Sequence, residues 1–504
     1  MSLAVRLSPV TDPTPQPPAI LARLIESFRQ QSVAYCCWKN PSRLPDSFAG
    51  RSDLDLLIAR TARATALQIF ASCGFKHAPD AAWHDDPSVL SFLGFDESSG
   101  ALLHVHAHFR LVVGPPLFKN DRIPCETGFL SRAPMLDNQM RVLSCEDRAL
   151  LLIIRAQCEL SWADPVVWRH RRRNEQKFRD EFAGLAADIR PEVFLSAATH
   201  LFGPELAQDV LALAHRENAP FAPFGLRTRI RRALAPYRKC GGFEAMVAQG
   251  FRAIGLLFGV FNRNVLQTPR TWRRRAPGGG VVIAFVGVDG SGKSTAAAGV
   301  RQWLGGEIDV VQHYFGTGEG APSLVLAPFK LLARAISPFI KTKPKGASHG
   351  RISDRPPGPL YATLFAVWAL AVALDKRHKL KSVQRAIRRG FVVVTDRYPQ
   401  NEDPKFNDGP LLPRLPVVPE WLRRFEASVY EQARRTPPDL VVKLLVGPET
   451  VMRREPDMNV TIIKERLACI DTLRFQGARL VAVDAKTSLA EVTLAVRQAV
   501  WSII

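Results

Sequence analysis

Residues 281–295 read VVIAFVGVDGSGKST, which places Gly287, Gly292, Lys293 and Ser294 at the spacing G-x-x-x-x-G-K-S/T. Gly287, Gly290 and Gly292 let a backbone turn tightly, so that successive N–H groups converge on phosphate oxygens. A helix opening near Lys293 adds the positive end of its dipole. The loop of Gly287, Val288, Asp289, Gly290, Ser291, Gly292, Lys293, Ser294 and Thr295 is therefore expected to cradle the triphosphate of ATP. Lys293 belongs on the β- and γ-phosphates and the Ser294 hydroxyl on Mg2+. The alternative is a glycine-rich turn with no ligand, but strand, loop, Lys, Ser and helix all agree on the first reading.

A second group lies about a hundred residues on, where 391–398 read FVVVTDRY. A wholly apolar strand ending in Asp396 and Arg397 delivers both side chains to the carboxyl edge of a sheet, where ligands bind in open α/β folds. Asp396 could hold Mg2+ or accept a hydrogen bond from an acceptor group. Arg397 could neutralise a transferring phosphoryl. An exposed ion pair at a strand end is the plainer alternative.

Two carboxylates near the N-terminus form a third candidate. In GRSDLDLLI, Asp53 and Asp55 alternate along an apolar strand, share one face, and could hold two Mg2+ ions. Downstream, LHVHAHF sets His104, His106 and His108 two apart, again on one face. Imidazoles suit zinc, nickel or iron, yet one strand does not easily aim three adjacent rings at one ion. Hydrogen-bonded histidines beside the two aspartates are the simpler expectation.

The elements that must position these groups fall into two halves. Residues 1–19 are a Pro-rich, mobile lead-in, 20–142 an α+β core, and 143–267 a mostly helical region. Residues 268–280, TPRTWRRRAPGGG, read as a linker. From 281 to 504 strands and helices alternate, which predicts an α/β fold whose parallel sheet is covered by helices on both faces. The chain has 504 residues and a formal charge of +21, with a pI near 10.0. Such a charge favours acidic partners, although arginine-rich solvated helix faces would give the same total. Basic runs at 168–173 and 227–239 match anionic lipid or nucleic acid in charge, but lack aromatic residues interleaved for base stacking. A solvated or interdomain face is the plainer expectation for both. Eight scattered Cys residues without a CxxC pair, and no apolar signal core, fit a reducing, cytoplasmic setting. Two apolar stretches invite a membrane reading. The run at 360–374 follows Pro-Pro-Gly-Pro and falls short of the ~20 residues a span needs, so a buried core helix is expected. The run at 254–261 is shorter still.

The motifs VGVDGSGKST, VVVTDRY and PPDLVVKLLVGPETVMRRE together resemble the thymidylate kinase family of P-loop nucleoside monophosphate kinases, across 281–504. The resemblance implies that Asp289 lies near the phosphates and acceptor, and that Asp396, Arg397 and Tyr398 contact acceptor phosphate or metal. It also implies an acceptor-binding cation on a long central helix, Arg377 or Lys376, and a basic lid at Arg453 and Arg454. Gly290 follows Asp289, so the loop carries no arginine and a lid arginine is the expected donor to the transition state. Two departures concern the acceptor: PQNEDPKFNDGPLL follows Tyr398 where the family shapes a thymidine pocket, and Gly447 stands where an Asp is usual. The variant pattern is similar to thymidylate-kinase-like proteins associated with bacterial surface-polysaccharide synthesis. The implied activity is γ-phosphoryl transfer from ATP to a dTMP-like nucleoside monophosphate or related acceptor. A sugar or glycan-precursor kinase and a non-enzymatic ATP-binding adaptor stay open. A homodimer and association with a membrane surface or polysaccharide-assembly complex are compatible partners; nucleic acid is not expected. The region around Asp53 and Asp55 resembles a bacterial nucleotidyltransferase-like family. That resemblance implies a third carboxylate where His106 stands, which favours a binding or structural role over nucleotidyl transfer.

Overall fold

In the computed structural model the described residues are 16–39, 41–81, 86–137, 140–160, 165–262, 268, 270–316, 359–403, 408–414, 418–456 and 460–504. Most of the expected lead-in, at 1–15, and the Pro-Pro-Gly at 356–358 lie outside them. The chain divides into two units, Met1–Leu266 and Gln267–Ile504.

In the first unit β1 (Tyr35–Cys37), β2 (Leu54–Ile58), β3 (Lys76–His77), β4 (Val89–Phe95) and β5 (Leu102–His108) form a sheet of order β1-β2-β5-β4-β3. Only the β2–β5 pair is parallel, and its register sets Asp55 opposite His106. That pairing brings the aspartate and histidine motifs together, because both alternate with a period of two. The other face packs Leu56, Ile58, Val105 and Ala107 against Leu24, Phe28, Ile69 and Phe70 of the helices Ala19–Gln30 and Arg63–Ser72. Two short ribbons follow: β6 (Leu111–Val113) with β7 (Asp121–Ile123), and β8 (Met135–Leu136) with β9 (Met140–Arg141).

The helical region begins at Cys145–Glu159, whose N-cap Ser144 side chain accepts the backbone N–H of Asp147. Leu150, Ile153 and Ile154 of that helix pack with Phe194 and Val210 of the helices Pro191–Phe202 and Pro204–Ala214. The apolar run at 254–261 is not an isolated short segment, as its length in the sequence suggested. It is the end of a continuous 20-residue helix, Gly242–Phe261, long and apolar enough to cross a membrane. Glu244, Gln249 and Arg252 interrupt the apolar run in sequence without interrupting the helix.

In the second unit β10 (Val281–Val286), β11 (Val310–Tyr314), β12 (Val392–Asp396), β13 (Leu440–Leu445) and β14 (Arg479–Asp484) form a parallel sheet of order β11-β12-β10-β13-β14. Helices on both sides close it, as continuous β-branched strands require. Val282, Ala284, Val393 and Val441 pack with Leu380 and Val383 of the helix Pro359–Ile387 and with Val429 and Ala433 of Glu420–Arg435. The apolar run at 360–374 lies in the first of these helices. Its Ala369, Ala371 and Val372 are buried with Leu411, Leu412 and Leu422. Phe285 pairs in register with Asp396, so β10 and β12 end level and their loops emerge side by side.

Candidate active site

The glycine loop leaves β10 and runs into the helix Lys293–Leu304, with Gly290 (φ 76°) and Gly292 (φ 92°) in the left-handed region that glycine adopts without strain. Gly287 is needed for space: a Cβ there would lie 2.5 Å from Ser291 Oγ and 2.9 Å from the Leu444 carbonyl oxygen. Lys293 is buried, and its ammonium donates to the Val288 carbonyl at 2.7 Å, spanning the loop from within. Loss of water lowers the Lys293 pKa, and the charge of Arg397 adds to the shift.

Ser294 Oγ donates to Asp396 Oδ2 at 2.5 Å, joining the loop to the end of β12. The other carboxylate oxygen of Asp396 is buried and has no hydrogen-bond partner. A hydroxyl beside a half-satisfied buried carboxylate fits a hard divalent cation such as Mg2+. Arg397 adopts φ 68°, a left-handed conformation that costs a non-glycine residue energy and recurs at functional sites. Its guanidinium donates to Asp289 Oδ1 and lies 3.5 Å from Asp408 Oδ1. Asp289 also accepts from Arg466 at 2.8 Å. Burial pushes the Asp289 carboxyl upward, but Arg397, Lys293 and Arg466 together outweigh it and hold it below the usual carboxylate range.

Asp289, Lys293, Ser294, Asp396 and Arg397 line a cavity of about 910 Å³ with Arg454, Tyr314 and the start of the helix Leu489–Trp501. Exposed Ser294 and Thr295 face this volume, as does Arg454, which donates to the Gly290 carbonyl at 2.7 Å. Three expected contacts are placed elsewhere. Tyr398 is a core residue: its ring packs 5.6 Å from Phe315 and its hydroxyl donates to the Thr436 carbonyl. Arg377 is exposed, with its guanidinium 5.7 Å from the Phe425 ring. Arg453 is exposed and does not line the cavity. The helix register instead buries Lys376, which donates to Tyr430 Oη at 2.7 Å and to the Asp408 carbonyl at 3.3 Å. Burial lowers its pKa to about 8. Sequence reasoning missed Arg466 and Asp408, because neither belongs to a motif and only the fold brings them to Asp289 and Arg397.

In the first unit Asp55 Oδ1 accepts from Lys39 at 2.8 Å and lies 3.0 Å from His108 Nε2 and 3.4 Å from His106 Nδ1. Asp53 Oδ1 lies 2.8 Å from His104 Nδ1. The three rings therefore do not converge on one point. Asp53, His104 and His106 make one donor set and Asp55, His106 and His108 another, with His106 in both. Burial pushes the Asp53 carboxyl up, yet the hydrogen bond from His104 and the neighbouring imidazoles bring it down to about 2. His108 is lowered to about 4, chiefly by burial. Mixed imidazole and carboxylate donors suit a first-row transition ion better than a pair of Mg2+ ions, which favour oxygen.

No protein-family model matches the chain. It is 28% identical over 223 residues, 44% of this chain and 92% of the relative, to "Uncharacterized ATP-binding protein YghS" of Escherichia coli K12. It is 25% identical over 229 residues, 44% of this chain and 86% of the relative, to "Uncharacterized ATP-binding protein YghR" of the same strain. Both names say that those proteins bind ATP, and neither states a reaction.

Proposed function

We propose that the second unit binds ATP on residues 287–295 and transfers its γ-phosphoryl group to an acceptor oxygen, as an ATP-dependent kinase of the thymidylate kinase type. The observation that carries this reading is the meeting of Lys293, Ser294, Asp396 and Arg397 at the carboxyl ends of β10 and β12, around a loop that glycine alone can form. The ATP-binding names of the E. coli relatives support the donor half of the proposal.

In this reaction the acceptor oxygen forms a bond to the γ-phosphorus as the bond to the β–γ bridging oxygen breaks, and ADP leaves with that electron pair. The loop N–H groups and Lys293 hold the phosphates. Arg397, oriented by Asp289 and Asp408, balances charge on the transferring group. Arg454, tied to the Gly290 carbonyl, would act as the lid arginine. Ser294 and Asp396 would hold Mg2+, which supplies charge neutralisation at the phosphates. Cationic Arg397, with Lys376 behind it, favours an anionic acceptor such as a nucleoside monophosphate or a sugar phosphate.

The test is ADP release by wild type and Lys293→Ala across nucleotide and sugar acceptors. Wild type releases ADP with one acceptor class and the variant does not. Turnover that survives in Lys293→Ala overturns the proposal, and tight ATP binding with no acceptor-dependent release identifies an adaptor instead.

For the first unit we propose that His106, either with Asp53 and His104 or with Asp55 and His108, binds one divalent transition ion, and that the unit does not perform nucleotidyl transfer. Zinc or manganese recovered in near-stoichiometric amount, and lost in His106→Ala, supports this; a metal-free preparation after incubation with either ion refutes it.

A further inference from the structure

The helix Gly242–Phe261 is amphipathic in the inverted sense. Its bulky side chains face solvent: Phe243 is 74% exposed, Phe251 72%, Leu257 67%, with Met246, Ile254 and Phe258 also exposed. At ~100° per residue these positions, with Val247 and Phe261, fall within an arc of about 140°. The opposite side carries Ala245, Ala248, Arg252, Gly255 and Gly259, which are partly or fully buried. Arg252 is turned to the body of the unit, donating to the Leu117 carbonyl at 3.0 Å with its guanidinium 5.0 Å from the Phe118 ring. The helix thus meets the protein through one anchored charge, with its small residues on the less exposed side, and offers solvent its large apolar ones.

Such a surface is costly in water and needs cover. The charge around it says what kind. Residues 226–239, LRTRIRRALAPYRK, hold Arg and Lys but no acid. Arg229, Arg238 and Lys239 have carboxylate partners in the fold, and exposed Arg232 lies among them in the same basic run. Tyr237, 41% exposed, stands just before the helix, where an aromatic ring suits a water–lipid boundary. The chain's net charge of +21 sets a second copy against the first, whereas anionic headgroups attract it.

We propose that this face is a membrane-docking element: the helix lies in the plane of an anionic bilayer, with Phe243, Phe251, Ile254, Leu257 and Phe258 among the acyl chains. Contact of Arg252 with Leu117 keeps one side of the helix on the protein, so it does not cross the bilayer. Two forces then act together, apolar insertion and attraction of basic residues to acidic lipid.

Flotation of the full chain with vesicles of zwitterionic lipid, and of zwitterionic lipid mixed with about a third phosphatidylglycerol, tests this. Binding is expected to the mixed vesicles, to weaken in high salt, and to fall about tenfold or more in Phe251→Glu/Leu257→Glu. Phe251→Leu/Leu257→Met keeps the apolar face and is expected to bind as wild type. Melting temperature and ATP binding of the charged variant are measured alongside, and the glutamates, being exposed, should leave both unchanged. Equal, salt-independent binding to both vesicles, or no binding with a concentration-dependent dimer that the glutamates dissolve, overturns the proposal; the second result assigns the face to self-association.

Discussion

Lys293 and Asp396 divide the proposed ATP site between them: the ammonium holds the loop's own carbonyl, while the carboxylate keeps one oxygen unspent. Asp396→Asn should therefore raise the Mg2+ concentration needed for half-maximal ADP release by about tenfold or more, with ATP affinity in the absence of metal little changed. A magnesium titration of steady-state turnover reads this. His313, on β11, makes a different prediction. Loss of water and then the charges of Lys379 and His378 push it down to about 4, against an upward pull from Asp375. Unfolded, the same side chain takes its proton near 6.5, at about the ordinary histidine value. Between those values the unfolded chain binds more protons, so stability falls as pH drops from 6.5 towards 4. His313→Gln should lose less melting temperature than wild type across that window. No motif marked His313, Arg466 or Asp408; each matters through neighbours far away in sequence. The meeting of Asp289, Lys293, Ser294, Asp396 and Arg397 was legible because a glycine turn and a strand end fix where such side chains emerge. Tyr398 shared the motif and yet went into the core, since alternate residues beyond a strand end part company.

At the scale of elements the turn from β10 into its helix is the tightest constraint. Gly287→Ala forces a methyl group against the Leu444 carbonyl, which belongs to β13 and has little room to move. A loss of about 1–3 kcal/mol in unfolding free energy is expected, with a larger loss of ATP affinity; chemical denaturation and nucleotide titration check the two separately. The central strands of the second unit, β10, β12 and β13, were readable because parallel strands buried on both faces are continuous apolar runs. The helix Gly242–Phe261 was not, because its Glu244, Gln249 and Arg252 break the run while its period of 3.6 continues beneath them. The order in which strands pair was equally hidden, for β10 finds its neighbours in β12 and β13 rather than in β11.

For the whole molecule, two units with separate cores should melt as separable transitions. ATP at about 100 times its Kd would stabilise the second unit by about 2.7 kcal/mol and leave the first unmoved, so calorimetry should show one peak shifting. The sheet order has a further consequence, for synthesis of the chain. Val281–Val286 is made early but sits between Val392–Asp396 and Leu440–Leu445, which leave the ribosome much later. Until then the loop has no Leu444 behind it and Lys293 no finished wall, and the most apolar strand of the unit waits unpaired. A nascent chain arrested before residue 440 should not retain nucleotide, and it is during that interval, rather than in the finished protein, that aggregation and chaperone capture would concentrate.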